Sequence, residues 1–100
     1  IVPKMPKPGN INNWHKFVMR CETKNKRKRI KDTVKDVLRF NPSIHYEKLL
    51  YANGLYNNTD YRNDMTPNAE IAANTVMSLP IHPWLTEEEI DKLCQTILMV

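Results

Sequence analysis

The sequence predicts an α+β fold, a small antiparallel or mixed sheet with helices packed on one face, and three observations predict it. Trp14 to Glu22 alternates polar with largely apolar side chains, the two-residue period of a strand with one covered face. Ile30, Val34, Val37 and Leu38, and later Ile90, Leu93, Cys94, Ile97 and Leu98, recur at helical spacing. Before the second of these stretches, Leu79-Pro80-Ile81-His82-Pro83 must be extended, because each proline keeps the residue preceding it out of the helical region.

A chain of 100 residues makes one domain and buries only about 60 to 65 percent of its extended surface. A hydrophobic fraction of 41% with two glycines suits a packed domain. Mean hydropathy of -0.58 leaves no apolar run long enough to cross a bilayer. The chain opens Ile1-Val2-Pro3 rather than on methionine and carries no secretory leader, so it reads as a piece of a longer protein. Cys21 and Cys94 have neither metal spacing nor the density of a disulfide framework. They read as two small buried thiols of a protein in the reducing cytoplasm.

Taken in order, residues 1–12 hold Pro3, Pro6, Pro8 and Gly9 without any hydrophobic period and read as a connector, leaving 13–100 as the domain. The first strand follows, with His15, Phe17, Met19 and Cys21 on its covered face. The next helix ends near Arg39, stopped by Asn41-Pro42. Ser43 to Tyr46 is a second strand candidate. Lys48 to Ala52 forms a turn of helix closed by Asn53-Gly54, both of which accept left-handed geometry. Asn57 to Asp64 is a polar loop. Thr66-Pro67 starts another helix, running to Met77, with Thr66 as cap and Pro67 at the first position. Ala69, Ala72, Ala73 and Val76 give that helix a narrow face of small residues. Thr86 and Glu89 have the spacing of a capping box, so the last helix begins at about Glu87.

Lys24-Asn25-Lys26-Arg27-Lys28-Arg29-Ile30-Lys31 places six cations in eight residues. The pI of about 9.2 agrees with an electrostatic footprint for nucleic acid, and a free-standing basic module using Lys24 to Lys31 is the alternative function. No RNP, KH or zinc-finger motif accompanies the run, so a solvated helix face is the simpler reading. Cations oppose the dipole at a helix start, which favours placing the first part of the run before the helix. His15, His45 and His82 lack zinc-like spacing to any Asp, Glu or Cys and read as structural. Trp14 and Trp84 read as core or interdomain packing.

Four pieces of the chain together resemble one enzyme family. They are Asn13-Trp14-His15-Lys16-Phe17-Val18-Met19, Ile44-His45-Tyr46, the helical run Pro67 to Met77, and Ser78-Leu79-Pro80-Ile81-His82-Pro83-Trp84-Leu85-Thr86-Glu87-Glu88-Glu89-Ile90-Asp91. In this order they resemble the C-terminal part of the DegT/DnrJ/EryC1/StrS group of pyridoxal-phosphate-dependent aminotransferases, over roughly residues 13 to 98. The resemblance implies the C-terminal small domain of a fold-type I enzyme. Its parent would move an amino group, usually from glutamate, onto a nucleotide-linked keto-sugar in amino-sugar and polysaccharide biosynthesis, as a homodimer. It further implies that His45 and Tyr46 stand near the active-site mouth, where they either line the substrate pocket or simply pack. The catalytic lysine and the cofactor contacts would lie in a large domain upstream, so no catalytic, cofactor-binding or metal residue is assigned here and the chain alone is expected to be inert. Two features depart from the family pattern. Arg39-Phe40-Asn41-Pro42 stands where a Gly-Ile step is usual, and Leu49-Leu50-Tyr51 stands where a later histidine often occurs.

Overall fold

A computed structural model of the chain describes residues 1–56, 58, 60 and 65–100. Strand β1 (Phe17–Arg20) pairs antiparallel with β2 (Val76–Leu79), matching Phe17 to Leu79 and Arg20 to Val76. A bond from the Cys21 amide to the Thr75 carbonyl, 2.9 Å, extends the ladder by one step. On the free edge of β1, Ile1 and Arg20 exchange two backbone bonds of 2.8 Å. On the free edge of β2, the Ser78 amide donates to the Ser43 carbonyl at 2.7 Å.

The second strand is therefore residues 76–79, not 43–46. Of that expected strand only Ser43 bridges to the sheet, since Pro42 has no amide to give and the chain turns at His45 and Tyr46. The helical run expected to reach Met77 stops at Thr75, where pairing with β1 takes residues 76–79 into extended backbone.

Helix α1 (Lys24–Leu38) is capped by Thr23, whose Oγ1 accepts from the Lys26 amide at 3.0 Å. The whole basic run thus lies inside the helix, against the expectation that its first part precedes it. The cap supplies a definite start, and water screens the exposed cations from the helix dipole. Arg39 closes α1 at φ 57°, in the left-handed region, ahead of Pro42. Two short 3-10 turns follow, Leu50–Ala52 and Gly54–Tyr56. Asn53 is extended at φ -77°, not left-handed, and its amide side chain donates to the Leu50 carbonyl at 3.1 Å. The polar loop expected over 57–64 lies largely outside the described residues. Helix α2 (Pro67–Thr75) and helix α3 (Glu87–Leu98) complete the chain.

The core joins Met19 and Cys21 next to Met77, Ile30 and Val34 of α1, and Leu93 of α3. Leu38, Phe40, Ile44, Leu79, Ile97 and Val100 pack around it. This is the small α+β domain the sequence predicts, with α1 and α3 laid on one sheet face. Burial pushes the Cys21 thiol above its ordinary range. Cys94, expected to be buried as well, is exposed, because α3 turns only Leu93, Thr96 and Ile97 inward while Ile90, Cys94 and Leu98 face out. Trp84 is also exposed and takes no part in this core. No helix among the described residues is long and apolar enough to cross a membrane.

Candidate functional site

His45 and Tyr46 occupy the turn that follows the Ser43 bridge. His45 Nδ1 lies 3.2 Å from Ser78 Oγ, a bond in which either group donates according to the imidazole tautomer. Tyr46 is 80% exposed and meets the His45 ring edge-on at a centroid distance of 6.0 Å. Both residues line a shallow hollow of 290 Å³ whose opposite wall is Ala69, Ala72, Ala73 and Val76. The small-residue face of α2 forms one wall of this hollow. It leaves open the space into which His45, Tyr46 and Leu50 face.

His45 also lines a second hollow, of 310 Å³, together with His15, Lys16, Ser43, Ser78 and His82, against an apolar wall that includes Phe40 and Leu79. The three histidines, isolated in sequence, are thus brought to one place. Antiparallel pairing sets the foot of β1, which carries His15 and Lys16, beside the end of β2, from which Pro80 and Pro83 direct His82. Asn12 and Asn13 fix the approach to β1, their side-chain oxygens accepting from the Trp14 and His15 amides at 2.9 and 3.2 Å. The histidines do not make a metal centre: among the described residues, no three His, Cys, Asp or Glu side chains are placed to hold an ion.

The basic run divides. Lys24, Lys28 and Lys31 face a groove shared with Ile44 and Glu47. Arg27 is 3% exposed, and its Nη1 donates to the carbonyls of Ala73 at 2.7 Å and Val76 at 3.3 Å. Its Nη2 stands 3.7 Å from Glu47 Oε1. One cation of the six is therefore a structural tie rather than part of a solvated face. No local pattern marks it, because its partners lie at the end of α2 and the start of β2.

Comparison with known proteins identifies the family. The sequence profile of the DegT/DnrJ/EryC1/StrS aminotransferase family matches residues 1–98. The erythromycin biosynthesis sensory transduction protein EryC1 of Saccharopolyspora erythraea is 33% identical over 91 residues, which cover 90% of this chain and 24% of that protein. The chain thus spans about a quarter of the length of the curated relative it matches. With the family profile running through both strands, all three helices and the His45-Tyr46 turn, the chain belongs to the DegT/DnrJ/EryC1/StrS aminotransferase family.

Proposed function

We propose that this chain is the C-terminal small domain of a pyridoxal-phosphate-dependent aminotransferase that transfers an amino group from glutamate to a nucleotide-linked keto-sugar, in amino-sugar and polysaccharide biosynthesis. The observation that carries the proposal is the family match over residues 1–98 in a chain that covers only a quarter of a relative's length. The enzyme works as a cytoplasmic homodimer, with a large domain upstream joined to this one through residues 1–12 as the connector.

The family depends on pyridoxal phosphate, and this chain's own residues do not fit that cofactor. A lysine that forms a Schiff base is normally desolvated or placed beside another cation, and the cofactor nitrogen needs an acid partner. Among the described residues no lysine is buried, and the one buried cation, Arg27, is engaged with backbone carbonyls. The cofactor, its lysine and its acid therefore belong to the large domain.

Within the substrate cleft, the small domain offers His45 and Tyr46. Each has an apolar ring body and a polar tip suited to a sugar face and its hydroxyls. His45 is oriented by Ser78, which itself is buried in β2, so the imidazole is supported by the sheet rather than by a free loop.

The test is the parent enzyme assayed with glutamate and a panel of nucleotide-linked keto-sugars. Wild type is expected to form amino sugar. Tyr46→Phe and His45→Gln are expected to raise KM by about tenfold each, the loss of one interaction of about 1.4 kcal/mol, with the visible absorbance of bound cofactor unchanged. Failure to aminate any nucleotide-linked sugar overturns the function. Unaltered KM in both variants removes the pair from the substrate pocket.

A further inference from the structure

We propose that the hollow formed by His15, Lys16, Ser43, His45, Ser78 and His82 is a binding site for a phosphate or diphosphate group. Its volume of 310 Å³ lies at the lower end of the roughly 300 to 1,000 Å³ typical of small-molecule sites. The six polar side chains that line it are all able to donate hydrogen bonds, and four of them can carry positive charge. No carboxylate lines it among the described residues. A site rich in donors and free of acids favours an anion, and oxygens of a phosphate can accept from several donors at once.

The position of these groups is set by the fold. Ser78 is buried between Val18 on β1 and the Ser43 bridge, so its hydroxyl is fixed, and His45 is held against it. Lys16 and His15 sit at the foot of β1, and His82 enters from the proline segment. The apolar wall of Phe40, Leu79 and Ile81 lowers the local dielectric and strengthens each of these charge-assisted bonds.

The charged groups of the adjoining groove, which His82 shares, are Arg39, Lys92 and Glu89. Glu89 is the one acid among them, and its carboxylate is engaged by the Thr86 amide and hydroxyl.

The inference deepens the function proposed above, since a nucleotide-linked sugar carries a diphosphate, and to that extent rests on it. The test uses the 100-residue chain and follows imidazole and amide NMR signals as sodium diphosphate, and separately uridine diphosphate, is added. The expected result is a saturable shift of all three histidines. Affinity should fall at least about tenfold in Lys16→Gln/His82→Gln. Both replaced side chains are exposed, so the variant should keep the wild-type circular dichroism. Lys24→Gln/Lys28→Gln/Lys31→Gln, on the far basic groove, should bind as wild type does. Shifts confined to α1, or affinity unaltered in Lys16→Gln/His82→Gln, overturn the site. Binding of diphosphate without binding of the nucleotide supports the site while removing its link to a nucleotide-sugar substrate. Loss of binding to both probes overturns the site and leaves the aminotransferase reading to the assay of the parent enzyme.

Discussion

Arg27 joins three segments that are distant in sequence. Its guanidinium satisfies the Ala73 carbonyl, one of the last four of α2 that have no partner within the helix, and the Val76 carbonyl at the start of β2. A cation at a helix C-terminus is also favoured by the dipole. Arg27→Ala leaves two poorly solvated carbonyls without a donor and is expected to cost about 2 to 3 kcal/mol, read as a fall in the urea midpoint. Arg27→Lys should recover little of this, because one ammonium cannot reproduce the planar fork. Glu47→Gln should change stability by less than about 0.5 kcal/mol, since Glu47 is 68% exposed and the pair is long. Equal losses in Arg27→Ala and in a neighbouring exposed change such as Lys28→Ala would reduce Arg27 to one more surface cation. The run of six cations was legible in the sequence, but which one turns inward was not. That choice depends on carbonyls supplied 46 and 49 residues later.

Among the elements, α3 was the most readable, because its start is encoded by two residues three apart. Thr86 Oγ1 accepts from the Glu89 amide at 3.2 Å, and Glu89 Oε2 accepts from the Thr86 amide at 2.9 Å. Thr66 before α2 looks equivalent in sequence yet makes no such bond. Its hydroxyl pairs at 3.1 Å with Tyr51 OH, which also donates to Glu70 at 2.8 Å. A long-range partner thus took the cap that local spacing promised. Thr86→Ala should therefore destabilise α3 by about 1 kcal/mol, and Thr66→Ala should affect α2 less. Glu89 gives the pH dependence. The bond from the Thr86 backbone holds its carboxyl below the ordinary 4.5, so the folded chain keeps this group charged where the unfolded chain would protonate it. Its contribution is present above pH 4.5 and is lost as pH falls through the lowered folded value. Amide exchange of Ile90 is expected to speed up across that acid range in the wild type and to be insensitive to it in Glu89→Gln. Parallel acid profiles in the two proteins would show that the carboxylate does not hold the helix start. The sheet was half legible for a related reason. β1 announces itself by alternation, whereas β2 hides inside a run that continues the pattern of α2, and its extension from Val76 depends on a partner strand more than fifty residues earlier in the chain.

At the scale of the molecule, the chain is more spread than its length requires. Its radius of gyration is 16.1 Å, against about 13 Å for a compact domain of 100 residues. Among the described residues the buried core is small, formed by Met19, Cys21, Ile30, Val34, Met77 and Leu93, while Trp84, Ile90 and Leu98 of the terminal segment stand open, along with Leu50 and Leu55. A small domain that meets a larger body carries such surface, because the partner rather than its own core covers it. This is the physical form of the proposal that the chemistry resides elsewhere in the parent enzyme. It leads to a paired expectation. The chain alone, mixed with pyridoxal phosphate and glutamate, should develop no absorbance band of protein-bound cofactor and no transaminase activity, and it should bind the dye ANS through its open apolar surface. The parent enzyme, with its lysine-bearing domain in place, should show bound cofactor and activity, with ANS fluorescence per small domain several-fold lower. The two readouts are independent. Bound cofactor or turnover in the chain alone would place a lysine site within these 100 residues and refute the division of labour. Equal ANS binding in the two forms would show instead that Trp84, Ile90 and Leu98 face water in the whole enzyme, and that the domains meet through another surface.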